Sequence, residues 1–133
     1  IENGSDLYRN YYILAKMHEG GWGVEKDFKK AYYYYTLASE QGSRLASRRI
    51  AKSYFSGQGF TEQNVDKAVY WFRKAALQND PESMRWFGLS RASKADGKDF
   101  FNFLVASKWI NYAALSGDKE AKKIIVEVIQ LHA

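Results

Sequence analysis

A phrase of small and aromatic residues recurs three times in this chain, as Ala31 to Ala38, Ala68 to Ala76 and Ala106 to Ala114, with starts 37 and 38 residues apart. A period of that length in a helical pattern marks a stack of repeats. Within each copy the apolar residues fall at i, i+3, i+4 and i+7: Ala31, Tyr34, Tyr35, Ala38, then Ala68, Trp71, Phe72, Ala75, then Ala106, Trp109, Ile110, Ala113. That spacing draws one stripe along a helix. One helical pair cannot bury such a stripe, whereas pairs stacked on one another can. The stripe is therefore expected to be core, and Trp71→Ala to cost about 3–5 kcal/mol if its site is fully packed.

Laid over one another, the copies agree outside the phrase as well. Eleven residues after each phrase alanine stands a break, Gly42, Asn79 or Gly117, the types that tolerate a left-handed backbone past a helix end. Four residues later come the small residues Ala46, Ser83 and Ala121, which let helices approach closely. A second helical pattern follows, carrying Leu14-Ala15, Ile50-Ala51, Phe87-Gly88 and Ile125-Val126 at matching places, a large residue beside a small or close contact. Glycine-bearing turns close the first two, at Gly20-Gly21-Trp22-Gly23-Val24 and Gly57-Gln58-Gly59-Phe60. Lys94 to Asp99 lengthens the turn in the third copy, with Asp96-Gly97 as its turn signal. Asp27, Asn64 and Asn102, each four residues before a phrase alanine, read as helix N-caps.

Each repeat thus reads as two antiparallel helices. A helices are predicted over 6–19, 44–56, 81–93 and 119–131, and B helices over 27–41, 64–78 and 100–116. The chain is expected to form one domain over 1–133, with repeats at 6–42, 43–79 and 80–117. A capping helix follows over 118–133, half-exposed through Lys122, Lys123, Glu127 and Gln130.

Composition bounds the function. Hydrophobic residues at 46% suffice for a continuous core, and 17% aromatics serve as wedges between thin helical layers. The net charge of +5 favours an acidic partner over a basic one, the competing reading being solubility alone. The absence of cysteine excludes a disulfide framework, a thiolate zinc site and a cysteine nucleophile. No apolar run approaches the roughly 18 residues that span a bilayer, and no signal peptide is visible. The compartment stays open, cytoplasmic or exported. Opening on Ile1, the chain reads as a processed form, a trimmed one or a piece of a longer array. Asn3-Gly4-Ser5 matches a glycosylation sequon, which matters only in a eukaryotic secretory setting.

The second copy, with Ala46, Ile50-Ala51, Tyr54, Gly57, Gly59, Lys67-Ala68, Trp71-Phe72 and Lys74-Ala75-Ala76, resembles the Sel-one-like repeat, a relative of the tetratricopeptide repeat. The first copy adds Leu14-Ala15, Gly21-Trp22-Gly23-Val24, Asp27, Lys30-Ala31, Tyr34-Tyr35 and Ala38, with His18 where the family has tyrosine. The third keeps Phe87-Gly88, Ala106, Trp109 and Ala113-Ala114, with Arg91 for the tyrosine and no double glycine. The resemblance implies an all-α fold, a right-handed α/α superhelix of about three helical pairs plus a C-terminal capping helix. A helices would line its concave face and B helices its back. It implies an adaptor or scaffold that binds a protein, or an immunity-type inhibitor of a partner effector, and it brings no catalytic residue.

On such a fold, positions two and six past the small anchor should face the groove. The first row is Tyr12, Arg48, Arg85 and Lys123, and the second Lys16, Lys52, Leu89 and Glu127. Of these, Tyr12, Lys16, Arg48, Lys52, Arg85, Leu89 and Lys123 are the expected partner-binding residues, with Arg48 and Arg85 pairing carboxylates of an acidic segment. The competing reading is a solvated helix face. Of the run Tyr32 to Tyr35, register leaves Tyr32 and Tyr33 outside the stack, which invites base or carbohydrate stacking, although core packing is the more general use of such aromatics. Tyr11 and Tyr12 suit an interface better.

No enzyme is expected. The two histidines, His18 and His132, lie at opposite ends, and neither a His-Glu-x-x-His motif, a phosphate loop nor a nucleophile elbow appears. His18-Glu19 reads as a packed or capping pair at a helix end. No cofactor, metal or small-molecule substrate is expected. A basic helical repeat that binds nucleic acid is the rival class, disfavoured because the groove positions vary without a base-reading code.

Overall fold

The computed structural model describes residues 4–93 and 100–131. They form α1 (Gly4–Gly20), α2 (Phe28–Glu40), α3 (Arg44–Ser56), α4 (Val65–Leu77), α5 (Pro81–Ser93), α6 (Phe100–Leu115) and α7 (Lys119–Leu131), with no strand among the described residues. The fold is an all-α superhelix. Each helix packs on its chain neighbour, most extensively in the pairs α1–α2, α3–α4 and α5–α6. Asn3, the Lys94 to Asp99 turn and His132 lie outside the described residues.

The stacking stripe is the core. Ala31, Tyr35, Ala38, Ala68, Ala75 and Ala113 are closed to solvent, Ala106 nearly so, and Phe72 is 3% exposed. Tyr34, Trp71 and Trp109 are only half-buried, with one side of each ring on the core. The main wedge of the second copy is therefore Phe72 rather than Trp71. The fifth position of the phrase is the sealed one in the first two copies, Tyr35 and Phe72, whereas in the third Ile110 is half-buried like Trp109.

The turns form where small or capping residues allow them. Gly42, Asn79 and Gly117 take φ of 101°, 70° and 103°, so each break has the left-handed backbone expected there. The side chains of Asp27 and Asn64 cap α2 and α4 by accepting from the N–H of Lys30 and Lys67 at 3.1 Å. Asn102 is no cap, because α6 starts two residues before it. Among the large–small pairs, Ala15, Ile50 and Ala51 are sealed and Phe87 nearly so. A Cβ on Gly88 would stand 2.9 Å from Ile110 Cγ1 and 3.1 Å from the Ala106 carbonyl, so this glycine lets α5 and α6 close on each other. In α7 the pattern departs from the matching pairs of the other A helices: Val126 is 51% exposed. Lys122, Lys123, Glu127 and Gln130 are exposed.

Two tyrosines are locked between repeats. Tyr35 donates to Glu19 Oε1 at 2.6 Å, and Arg49 grips the same carboxylate through Nε at 3.3 Å and through Nη2. Tyr32 shares a 3.1 Å hydrogen bond with the Tyr54 hydroxyl and tilts onto Phe60 at 5.8 Å, so it is part of the packing and not free of it. Tyr33 is 59% exposed. Burial first, then the bond with Tyr54, pushes the Tyr32 phenol up from 10.0 to about 12. Burial and the Glu19 carboxylate push Tyr35 up as well. A raised phenol pKa means the native state favours the neutral form. The stability this contributes is complete below pH 10 and is lost as pH rises from there through about 12. Absorbance titration of the native chain should show tyrosines ionising later than in urea, with the melting temperature falling over that window. Native and unfolded titration curves that coincide would refute it.

Candidate protein-interaction face

The face is organised by the residue that follows each break. Ser43, Asp80 and Asp118 occupy that place and cap the A helices α3, α5 and α7. Each side chain accepts from the N–H three residues on: Ser43 from Ala46 at 3.2 Å, Asp80 from Ser83 at 3.0 Å, Asp118 from Ala121 at 2.9 Å. The sequence reading passed over these caps. A capping type directly after every break was the signal that could have found them.

Two of the caps also hold an arginine from the preceding A helix. Arg48 Nη1 reaches Asp80 Oδ1 at 3.0 Å, and its Nε reaches Glu82 at 3.0 Å. Arg85 Nε reaches Asp118 Oδ2 at 2.7 Å. Glu82 further accepts from Lys52 at 3.1 Å and lies 3.9 Å from Arg85. Arg48, Lys52 and Arg85 are thus brought together around Glu82. Three cations meet three carboxylates, Asp80, Glu82 and Asp118, and this stretch is close to neutral. Both arginines expected to pair a partner's acids already hold internal ones. Asp80 is 1% exposed, and Arg48, the Ser83 N–H and the Ser83 hydroxyl, at 2.5 Å, all serve its carboxylate.

The remaining positions stand apart from this cluster. Lys16 lies over the Tyr12 ring at 5.4 Å on α1. Leu89 is half-buried and lines an apolar groove with Ile110, Ile125 and Ile129. Lys123 is 69% exposed and pairs with Glu120 on its own helix at 3.4 Å. Behind the face, Ser39, Ser47 and Gln78 form a polar link between α2, α3 and the end of α4. The two hydroxyls lie 2.7 Å apart, and the Gln78 amide bonds Ser47 Oγ at 2.7 Å and the Ser39 carbonyl at 3.0 Å. His18 packs as the sequence suggested, its Nδ1 2.9 Å from the Leu14 carbonyl and its ring 5.5 Å from that of Tyr34. Among the described residues no group of histidine and acidic side chains could hold a metal, and no helix is long and apolar enough to cross a membrane.

Paired helices stacked through an aromatic stripe, with a charged face built by every second helix, define an α/α repeat protein. The chain belongs to the Sel1-repeat family, whose model matches residues 11–43 and 44–80. Proteins of this family are typically protein-interaction adaptors and generally non-catalytic. The chain is 25% identical over 133 residues to chitin synthase regulatory factor 2 of Schizosaccharomyces pombe, and 25% identical over 122 residues to regulatory factor 3 of the same yeast. These alignments cover 96% and 91% of the chain but span only 26% and 13% of the two relatives. Among solved structures, a Sel1 repeat protein from Oxalobacter formigenes superposes with a TM-score of 0.80 at 22% identity, over 92% of this chain and 90% of that one. A protective antigen of uropathogenic Escherichia coli with an SLR fold gives 0.66 at 26% identity, over 86% of this chain and 24% of its own. The cysteine-rich protein B of Helicobacter pylori gives 0.65 at 19%, covering 91% and 93% of the two chains.

Proposed function

We propose that the chain is a non-catalytic adaptor that holds an acidic segment of a partner protein along its A-helix face, through Tyr12, Lys16, Arg48, Lys52, Arg85, Leu89 and Lys123. Family membership carries the reading, since such repeats typically serve as interaction scaffolds. The names of the two yeast relatives, regulatory factors of an enzyme, fit a chain that acts by binding. The internal ion pairs refine the role of the arginines. Arg48 spends Nε and Nη1 on Asp80 and Glu82, which leaves Nη2 to donate outward. A guanidinium already fixed by its own chain loses little rotamer freedom on meeting a partner. Lys16, Lys52 and Lys123 supply the more accessible charge.

The test is a comparison of captured proteins. Wild-type chain and a Tyr12→Ala, Lys16→Glu, Lys123→Glu variant are used as baits in the source extract, with mass spectrometry of what is retained. One protein held in stoichiometric amount by the wild type and lost by the folded variant is the expected result. Recovery by both baits would move the interface off this face, and recovery of RNA alone, released steeply by salt, would replace the adaptor with a nucleic-acid binder.

A further inference from the structure

The joint between the first two repeats lacks the arginine-to-cap link that ties the later ones. In the register of Arg48 and Arg85 stands Tyr12, and in the register of Asp80 and Asp118 stands Ser43. The place of Glu82 is taken by Leu45. Among the described residues no carboxylate lines this place, and a cleft of about 470 Å³ opens instead, walled by Tyr8, Arg9, Tyr12, Ser43, Arg44 and Leu45. Its two guanidiniums belong to exposed residues, and among the described residues neither Arg9 nor Arg44 has an ion-pair partner. Arg44 is steadied by one hydrogen bond from Nη1 to the Asn79 carbonyl at 2.8 Å, which leaves its other donors unspent. Lys16, whose ammonium lies over the Tyr12 ring at 5.4 Å, adds a third cation nearby.

We infer that this cleft is the anchor point of an acidic peptide segment, whose Asp or Glu side chain lies between Arg9 and Arg44 while a flanking apolar or aromatic residue rests on Tyr8 and Tyr12. The inference rests on the adaptor reading and names the part of the face that makes the principal contact. The later joints show the chemistry this groove accepts: a guanidinium meeting a carboxylate next to a helix N-cap, supplied twice from within the chain. In the first joint the register positions of Asp80 and Glu82 hold Ser43 and Leu45 while the cations remain, so the complementary charge comes from outside. The uncompensated positive potential also draws an acidic segment there in preference to the neutralised stretch around Glu82. Tyrosine and arginine side by side are the residue types that dominate binding hot spots.

The probe is a blocked peptide of alternating glutamate and tyrosine carrying a fluorophore, with its glutamine counterpart as control. Anisotropy titration should show binding of the acidic peptide alone, weakening with salt. Arg9→Glu with Arg44→Glu should lower its affinity by roughly tenfold to a hundredfold, with the circular dichroism spectrum kept. Arg73→Glu with Lys119→Glu, an equal charge change at exposed positions outside the cleft, should leave affinity within about twofold of wild type. Equal losses in the two variants, absence of binding, or equal binding of the glutamine peptide would each overturn the inference. The adaptor reading fails separately. A captured partner released by the A-helix-face variant and indifferent to the Arg9 and Arg44 reversals would overturn the cleft and keep the adaptor. Peptide seated in the cleft, with no captured protein depending on the face, would do the reverse.

Discussion

Phe72→Ala is expected to lower the free energy of unfolding by about 3–5 kcal/mol, the largest effect of any single truncation in the second repeat. The ring is 3% exposed and stacks on Trp86 at 5.4 Å with 15° between planes, so α4 and α5 lose their shared wedge together. The other stripe residues of α4, Ala68 and Ala75, end in single methyl groups and cannot reach into the space the ring leaves. Trp71→Ala should cost only about half as much although it removes more atoms. Its ring is half-buried, with Tyr70 edge-on at 5.5 Å and the Lys74 ammonium at 5.0 Å. Urea unfolding of the two variants, followed by circular dichroism, decides it. A costlier Trp71 would mean that the register of α4 against α5 is wrong by one residue.

Asp80→Ala should cost about 2–4 kcal/mol. The loss of an N-cap takes about 0.5–2 kcal/mol of that. The remainder comes from Arg48, which keeps Glu82 but loses its most buried counter-charge. Asp80→Ser separates the two contributions, since a serine hydroxyl still caps but cannot pair the guanidinium. It reproduces at the second joint the arrangement that Ser43 has at the first, and should restore about 1 kcal/mol relative to alanine. If serine restored nothing, the cap would contribute little and the ion pair would carry the whole effect.

Much of this fold was legible because its information is local and periodic. The stripe at i, i+3, i+4, i+7 gave the B helices to within a residue or two, and the left-handed positions announced themselves as Gly42, Asn79 and Gly117. Distinctions between neighbours on one helix were harder. Tyr32 and Tyr33 have the same side chain one residue apart, and only the position of Tyr54 and Phe60 in the next repeat decides which of them is packed. The face was the least legible part. Its positions could be listed from register, but Arg48 and Asp80 are 32 residues apart and Arg85 and Asp118 are 33 apart. The pairing recurs once per repeat, but it joins positions in successive repeats and shows only when the copies are laid side by side. The face therefore reads in the sequence as a free basic stripe, where the folded chain has spent most of that charge on holding itself together.

The two kinds of tie between repeats also sit at different heights on the helices. Units joined through Asp80 and Asp118 are clasped at the start of the following A helix. The first two are clasped instead through Glu19, near the end of α1, by Arg49 and Tyr35. The opposite end of that first joint, where Tyr12 and Ser43 stand, is held by the hydrogen bonds among Ser39, Ser47 and Gln78 rather than by an ion pair among the described residues. A substitution at Glu19 therefore acts on the first joint alone and leaves the two acid clasps behind it in place.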